Sequence, residues 1–164
     1  MVSSFAFQAQ MEVTNGGPFD PVPLIENIFL GDGVEIINVD YIGDPRSVGF
    51  FQNAENFIGI DRGVVMTTGI TEMDGVTAGI DANGNVLASV NSNSPLNNDP
   101  DLQAIVAPGF DLNDITRYII TFRPTGDSLE FNYVFASEEY PEYACSDFND
   151  IFGFFISGPG INGP

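Results

Sequence analysis

The stretch from Leu129 to Gly160 constrains the fold more than any other part of the chain. Leu129, Phe131, Tyr133 and Phe135 alternate with Glu130, Asn132, Val134 and Ala136, the period of a half-buried strand. Ile151, Phe152, Gly153, Phe154, Phe155 and Ile156 follow as a nearly continuous apolar run. Such a run suits a strand covered on both faces, and by periodicity alone a short buried helix as well. Between the two, Ser137 to Asp150 carries Glu138, Glu139, Glu142, Asp147 and Asp150 and no basic residue. Carboxylates confined to a loop pinned at both ends repel one another unless they splay into water or share a cation.

The rest of the composition sharpens that tension. The chain of 164 residues has a formal charge of −19, and its only cations are Arg46, Arg62, Arg117 and Arg123. Hydrophobic content of 43% with fifteen Phe supports a real core in one ordinary domain rather than disorder. A surface this acidic repels phosphate backbones and anionic lipid, which argues against nucleic-acid partners and membrane-surface binding. A solvated, acidic secreted protein accounts for most of the charge. Cys145 is the one cysteine and there is no histidine, so an intrachain disulfide, a soft-metal site and triad-type chemistry are excluded. Any metal is then a hard cation held by oxygen, with calcium the first choice. Neighbouring carboxylates raise the Cys145 thiol rather than activate it. Apolar runs fall well short of the ~20 residues of a membrane span, so membrane insertion is not expected. Residues 1–16 read as a leader or signal-peptide remnant, on the small apolar run ending Phe7-Gln8-Ala9, without a positive n-region.

From Asn15-Gly16-Gly17-Pro18 onward the chain reads as one domain, 17–164. Pro23 to Gly31 carries Leu24, Ile25, Ile28 and Phe29 at helical spacing and predicts a short helix. Val34 to Tyr41, Ser47 to Phe51 and Val64 to Gly69 predict strands, with Phe57 to Gly63 a strand end and turn. Ile70 to Pro100 dissolves into Gly, Asn, Asp, Ser and Thr, a long irregular region that includes Asn91, Asn93, Asn97 and Asn98 as further oxygen donors. Asp99 to Val106 predicts a second short helix, with Asp99 as N-cap, Pro100 at the first position and Asp101 in the first turn. Ile115 to Arg123 alternates, and Pro124-Thr125-Gly126-Asp127 predicts an antiparallel hairpin with Leu129 to Ser137. The sum is a mainly-β protein, an antiparallel β-sandwich of jelly-roll or lectin-like kind with two short helices.

The string from Val134 to Tyr143 (V-F-A-S-E-E-Y-P-E-Y), followed by Phe148 to Gly160 (F-N-D-I-F-G-F-F-I-S-G-P-G), resembles the choice-of-anchor L domain. Leu24 to Val34, Gly59 to Gly69 and Asp99 to Leu102 are similar to that family too, so the resemblance runs from about Gly17 to the end. It implies an extracellular, non-enzymatic module of large secreted and surface-attached bacterial proteins, held at the cell surface by varied C-terminal anchors. The resemblance names no ligand. Members generally continue past the Gly158-Pro159-Gly160 segment with further strands. The expectation here is therefore a C-terminally incomplete sandwich, or a subunit completed by a neighbouring copy.

Three function classes follow. In the first, the acidic loop binds calcium: Glu138 and Glu139 leave one strand, Asn149 and Asp150 enter the next, and neighbouring strands would bring these oxygens together. Calcium takes six to eight oxygens, which carboxylates, an amide, Ser137 and carbonyls can supply. Asp99, Asp101 and Asp147 are second-tier ligands, the first two because helix capping already explains them. A loop-pinning role, with Glu138 or Asp150 accepting backbone N–H groups, is the alternative for the same carboxylates. In the second class, Glu138 or Glu139 pairs with Asp150 as a glycosidase acid and base, and Tyr140 and Tyr143 stack on sugar; the lack of Trp weakens it. In the third, the chain builds a surface filament by strand exchange. The reading is a non-catalytic extracellular module for adhesion or surface assembly, stabilised by calcium. Its partners are other copies of itself or a surface protein or glycan, with Tyr140 and Tyr143 as the candidate ligand-contacting aromatics.

Overall fold

The computed structural model describes the protein over residues 11–31, 33–71, 92–137 and 150–161. Within them the chain is mostly strands in antiparallel sheets, with a few short helices. In order these are β1 (Glu12–Thr14), α1 (Pro21–Leu24) running into a π-helical turn (Ile25–Phe29), and β2 (Val34–Ile42). A 3-10 turn (Pro45–Ser47) then leads into β3 (Val48–Gln52), α2 (Glu55–Ile58), β4 (Gly63–Met66), α3 (Pro100–Ile105) and β5 (Arg117–Pro124). One sheet has three strands in the order β1-β3-β4; the other pairs β2 with β5.

The first sheet is centred on β3, with the run Val48-Gly49-Phe50-Phe51, whose β-branched and aromatic side chains favour an extended, half-buried backbone. Val13 of β1 lies opposite Phe51, and Phe50 lies opposite Val64 of β4. Val13, Phe51 and Ala54 are buried together, with Met11, Ile58, Ile60 and Val65 packed around them. β1 lies inside the segment read as a leader, so the sheet begins upstream of Gly17. Gly49 sits where β1 comes closest: a Cβ there would meet the Thr14 carbonyl oxygen at 2.9 Å and the Thr71 hydroxyl at 3.1 Å.

The helix expected over Pro23 to Leu30 starts earlier, at Pro21, and widens into the π turn after Leu24. Leu24 and Ile25 are buried, and α1 with its π turn touches β2, β3 and β4, forming the layer that joins the two sheets. Two hydrogen bonds add to the join: the Tyr118 hydroxyl donates to the Pro21 carbonyl at 2.9 Å, and the Thr116 hydroxyl to the Thr67 carbonyl at 3.2 Å. No helix among the described residues is long and apolar enough to cross a membrane.

Two local expectations are corrected. Phe57 and Ile58, expected to begin a strand end and turn over Phe57 to Gly63, belong to the helical turn α2. Gly59 ends it in the left-handed region (φ 74°), donating its N–H to the Glu55 carbonyl at 3.0 Å. The hairpin between Ile115–Arg123 and Leu129–Ser137 does not form. β5 instead pairs along its whole length with β2, from Val34 opposite Pro124 to Ile42 opposite Arg117, with a bulge between Ile36 and Asn38. This pairing sets Tyr41 against Tyr118 (ring centroids 4.9 Å apart) and buries Val39. It continues past Pro124 through Thr125, whose N–H donates to the Gly33 carbonyl at 3.0 Å.

Candidate functional site

The two apolar segments of the C-terminal stretch meet through their rings. Phe131 packs on Phe154 with centroids 4.4 Å apart, and Tyr133 on Phe152 at 5.8 Å. As one segment advances by two residues the other retreats by two, which is an antiparallel register with these side chains on one face. Neither segment joins a ladder among the described residues, and both carry exposed apolar groups, Tyr133 at 63% and Phe154 at 50%. Farther along, two residues out of that register, the Ser137 hydroxyl donates to the Asp150 carboxylate at 3.1 Å. The segment bounded by Ser137 and Asp150 therefore has its two ends in contact. Asp150 is exposed. Glu138, Glu139, Tyr140, Glu142, Tyr143, Asp147 and Asn149 lie outside the described residues. Among the described residues no group of three or more acidic or cysteine side chains could hold a metal ion.

Asp99 and Asp101 are placed differently. Asp99 caps α3 as its sequence predicts, one oxygen accepting from the N–H groups of Asp101 (3.0 Å) and Leu102 (3.1 Å). Its other oxygen pairs with the Arg117 guanidinium at 2.9 Å. Burial pushes this carboxyl upward, but the Leu102, Arg117 and Asp101 hydrogen bonds and the arginine charge outweigh it, so its pKa falls below the ordinary value. Asp101 is exposed in the first turn of α3. Asp99 thus ties a helix N-terminus to the start of β5.

A second buried carboxylate is Asp44. Asp44 caps the 3-10 turn, accepting from the Arg46 N–H at 3.0 Å. The Arg46 guanidinium grips it with two more hydrogen bonds, at 3.1 and 2.7 Å, and the Asn93 N–H adds a fourth at 2.8 Å. The Arg46 hydrogen bond is the main cause that holds this carboxyl well below the usual range, overcoming burial. The available signal was the sequence Asp44-Pro45-Arg46, an acid before a proline at the first position of a turn. Beside it, the Tyr41 hydroxyl donates to the Asp44 carbonyl at 2.6 Å. Burial pushes the Tyr41 phenol up to about 12, against a hydrogen bond from Thr116 and with the Asp44 charge adding to the rise. These carboxylates are fully engaged within the protein and serve as fasteners.

Antiparallel sheets joined by a thin helical layer, with buried acids used as fasteners, define a mainly-β protein. The chain belongs to the choice-of-anchor L domain family, whose family model matches residues 12–163. That membership makes it a surface-associated, extracellular bacterial module. Comparison with curated proteins and with solved structures found no match.

Proposed function

We propose that the protein is a non-catalytic adhesion module, a β-sandwich whose acidic segment 137–150 is stabilised by calcium. The observation that carries the reading is the Ser137–Asp150 contact at 3.1 Å. It sets the two ends of the segment side by side, so Glu138 and Glu139 follow in sequence from one end and Asn149 precedes the other. Oxygen donors arriving from both ends of one short segment are what a calcium ion needs to collect its six to eight ligands. A shared cation also relieves the mutual repulsion of carboxylates in a chain that has no lysine and only four arginines. Tyr140 and Tyr143 sit in the same segment and are the aromatics proposed to meet a surface protein or glycan.

The test is thermal unfolding in excess calcium and in chelator, with both samples then applied to arrays of glycans and extracellular proteins. Calcium is expected to raise the melting temperature, and Glu139→Gln or Asp150→Asn to abolish the rise. Equal melting in both samples would overturn the calcium site. Failure to bind any array component in either sample would overturn adhesion.

A second reading, assembly with other copies by strand exchange, is favoured by one observation. The Phe131–Phe154 and Tyr133–Phe152 face is exposed and apolar, and a face of that kind is covered when proteins associate. Large particles in light scattering, lost on Phe154→Ser substitution, would put assembly ahead of adhesion.

A further inference from the structure

We propose that the outer edge of β5 is a strand-capture site that takes an extended, cationic peptide segment of another protein. The inference rests on the adhesion reading and names the chemistry of its partner.

A cleft of about 480 Å³ runs along β5 and is walled on the far side by Leu129, Ile156, Pro159 and Ile161. On the near side it is lined by Ile119, Ile120, Thr121 and Phe122 in unbroken succession. Successive residues of a strand point to opposite faces, so a cleft that touches all four runs along the strand's edge, where backbone N–H and C=O groups project. Among the described residues β5 pairs with β2 alone, which leaves its other edge to this cleft.

The two edges of the β2–β5 sheet are guarded unequally. β2 carries a bulge at Ile36–Asn38 together with Asp40, features that discourage a further strand. β5 has no bulge, and its core from Tyr118 to Phe122 carries no charge. Its flanking cations are already spent inside the protein, Arg117 on Asp99 at 2.9 Å and Arg123 on Glu35 at 2.7 Å. Pro124, which ends β5 in the cleft, donates no N–H, limiting the ladder to about five residues.

Charge decides the occupant. Asp127 is the charged residue lining the cleft, and it belongs to a chain of net charge −19. A second copy would bring the same charge and be repelled, whereas a segment with apolar side chains on one face and Lys or Arg at its end is drawn in. Apolar side chains of that segment would meet Leu129, Ile156 and Ile161, each 40–45% exposed.

The probe is a fluorescent peptide of alternating Val and Thr flanked by Lys, titrated into the full chain and followed by anisotropy. It is expected to bind about tenfold more tightly than the same peptide flanked by Glu, an advantage that narrows in Asp127→Asn. A version with a central Pro is expected not to bind. Amide hydrogen exchange in 117–124 is expected to slow on binding. No binding, or equal affinity for the Lys and Glu peptides, would overturn the proposal. So would concentration-dependent dimerisation that protects the same amides, since that assigns the edge to a second copy. Array binding that persists without peptide binding leaves adhesion standing and sinks the edge alone; loss of both sinks both.

Discussion

Asp44 holds four donors on its carboxylate, the Arg46 N–H, two guanidinium N–H groups and the Asn93 N–H, and two on its own carbonyl, the Tyr41 hydroxyl and the Ser47 N–H. Replacing it by Asn keeps the shape but removes the charge, and is expected to cost about 2–3 kcal/mol, read from denaturant unfolding. The pH dependence follows from the direction of its shift. Both Asp44 and Asp99 are held below their unfolded value of about 3.9, so the folded state binds fewer protons than the unfolded state there. Their contribution is complete above pH ~4 and is lost as pH falls from there through the folded values. Acid unfolding should begin just below pH ~4, and Asp44→Asn should flatten that part of the profile. The arginines separate in the same way. Arg117→Ala strands the buried Asp99 and is expected to cost about 3 kcal/mol. Arg123→Ala breaks a pair whose partners are 66% and 59% exposed, and the expected loss is below about 1 kcal/mol.

At the scale of elements, Gly49 governs how closely β1 approaches β3. Gly49→Ala sets a methyl against the Thr14 backbone oxygen, which has no rotamer to escape with, and a loss of about 1–3 kcal/mol in thermal or chemical unfolding is expected. What the sequence made legible here divides by locality. α3 was readable because its cap, Asp99 before Pro100, is local chemistry. β2, β3 and β4 were readable as short β-branched and aromatic runs. α2 was not, because Phe57-Ile58-Gly59-Ile60 looks extended until Gly59 takes its positive φ. β1 is three residues long and gains its strand character only from β3. The hairpin was expected because neighbours in sequence are the natural partners, while the β2 pairing of β5, with Tyr41 against Tyr118, joins residues far apart in the chain. In the candidate site, the meeting of Ser137 and Asp150 was foreseeable from the flanking apolar runs. The role of Asp44 was hidden, since one of its partners, Asn93, lies 49 residues away.

At the scale of the whole molecule, the charge of −19 sets the solution behaviour. Self-repulsion opposes the compact state, and salt screens it over about 10 Å at 0.1 M. Melting temperature measured in chelator should therefore rise with sodium chloride, separating general screening from any specific effect of calcium. The scarcity of cations has another consequence, for survival outside the cell. Trypsin-like proteases cut after Lys or Arg, and this chain offers them four positions. Arg117 opens a paired strand and is clasped by Asp99, Arg123 precedes a proline that such enzymes do not cleave behind, and Arg46 is clamped in a tight turn. Arg62, exposed in the bend before β4, is the natural point of first attack. Brief digestion of the folded protein should give one dominant cut there, and Arg62→Gln should leave a domain that secreted trypsin-type enzymes scarcely touch.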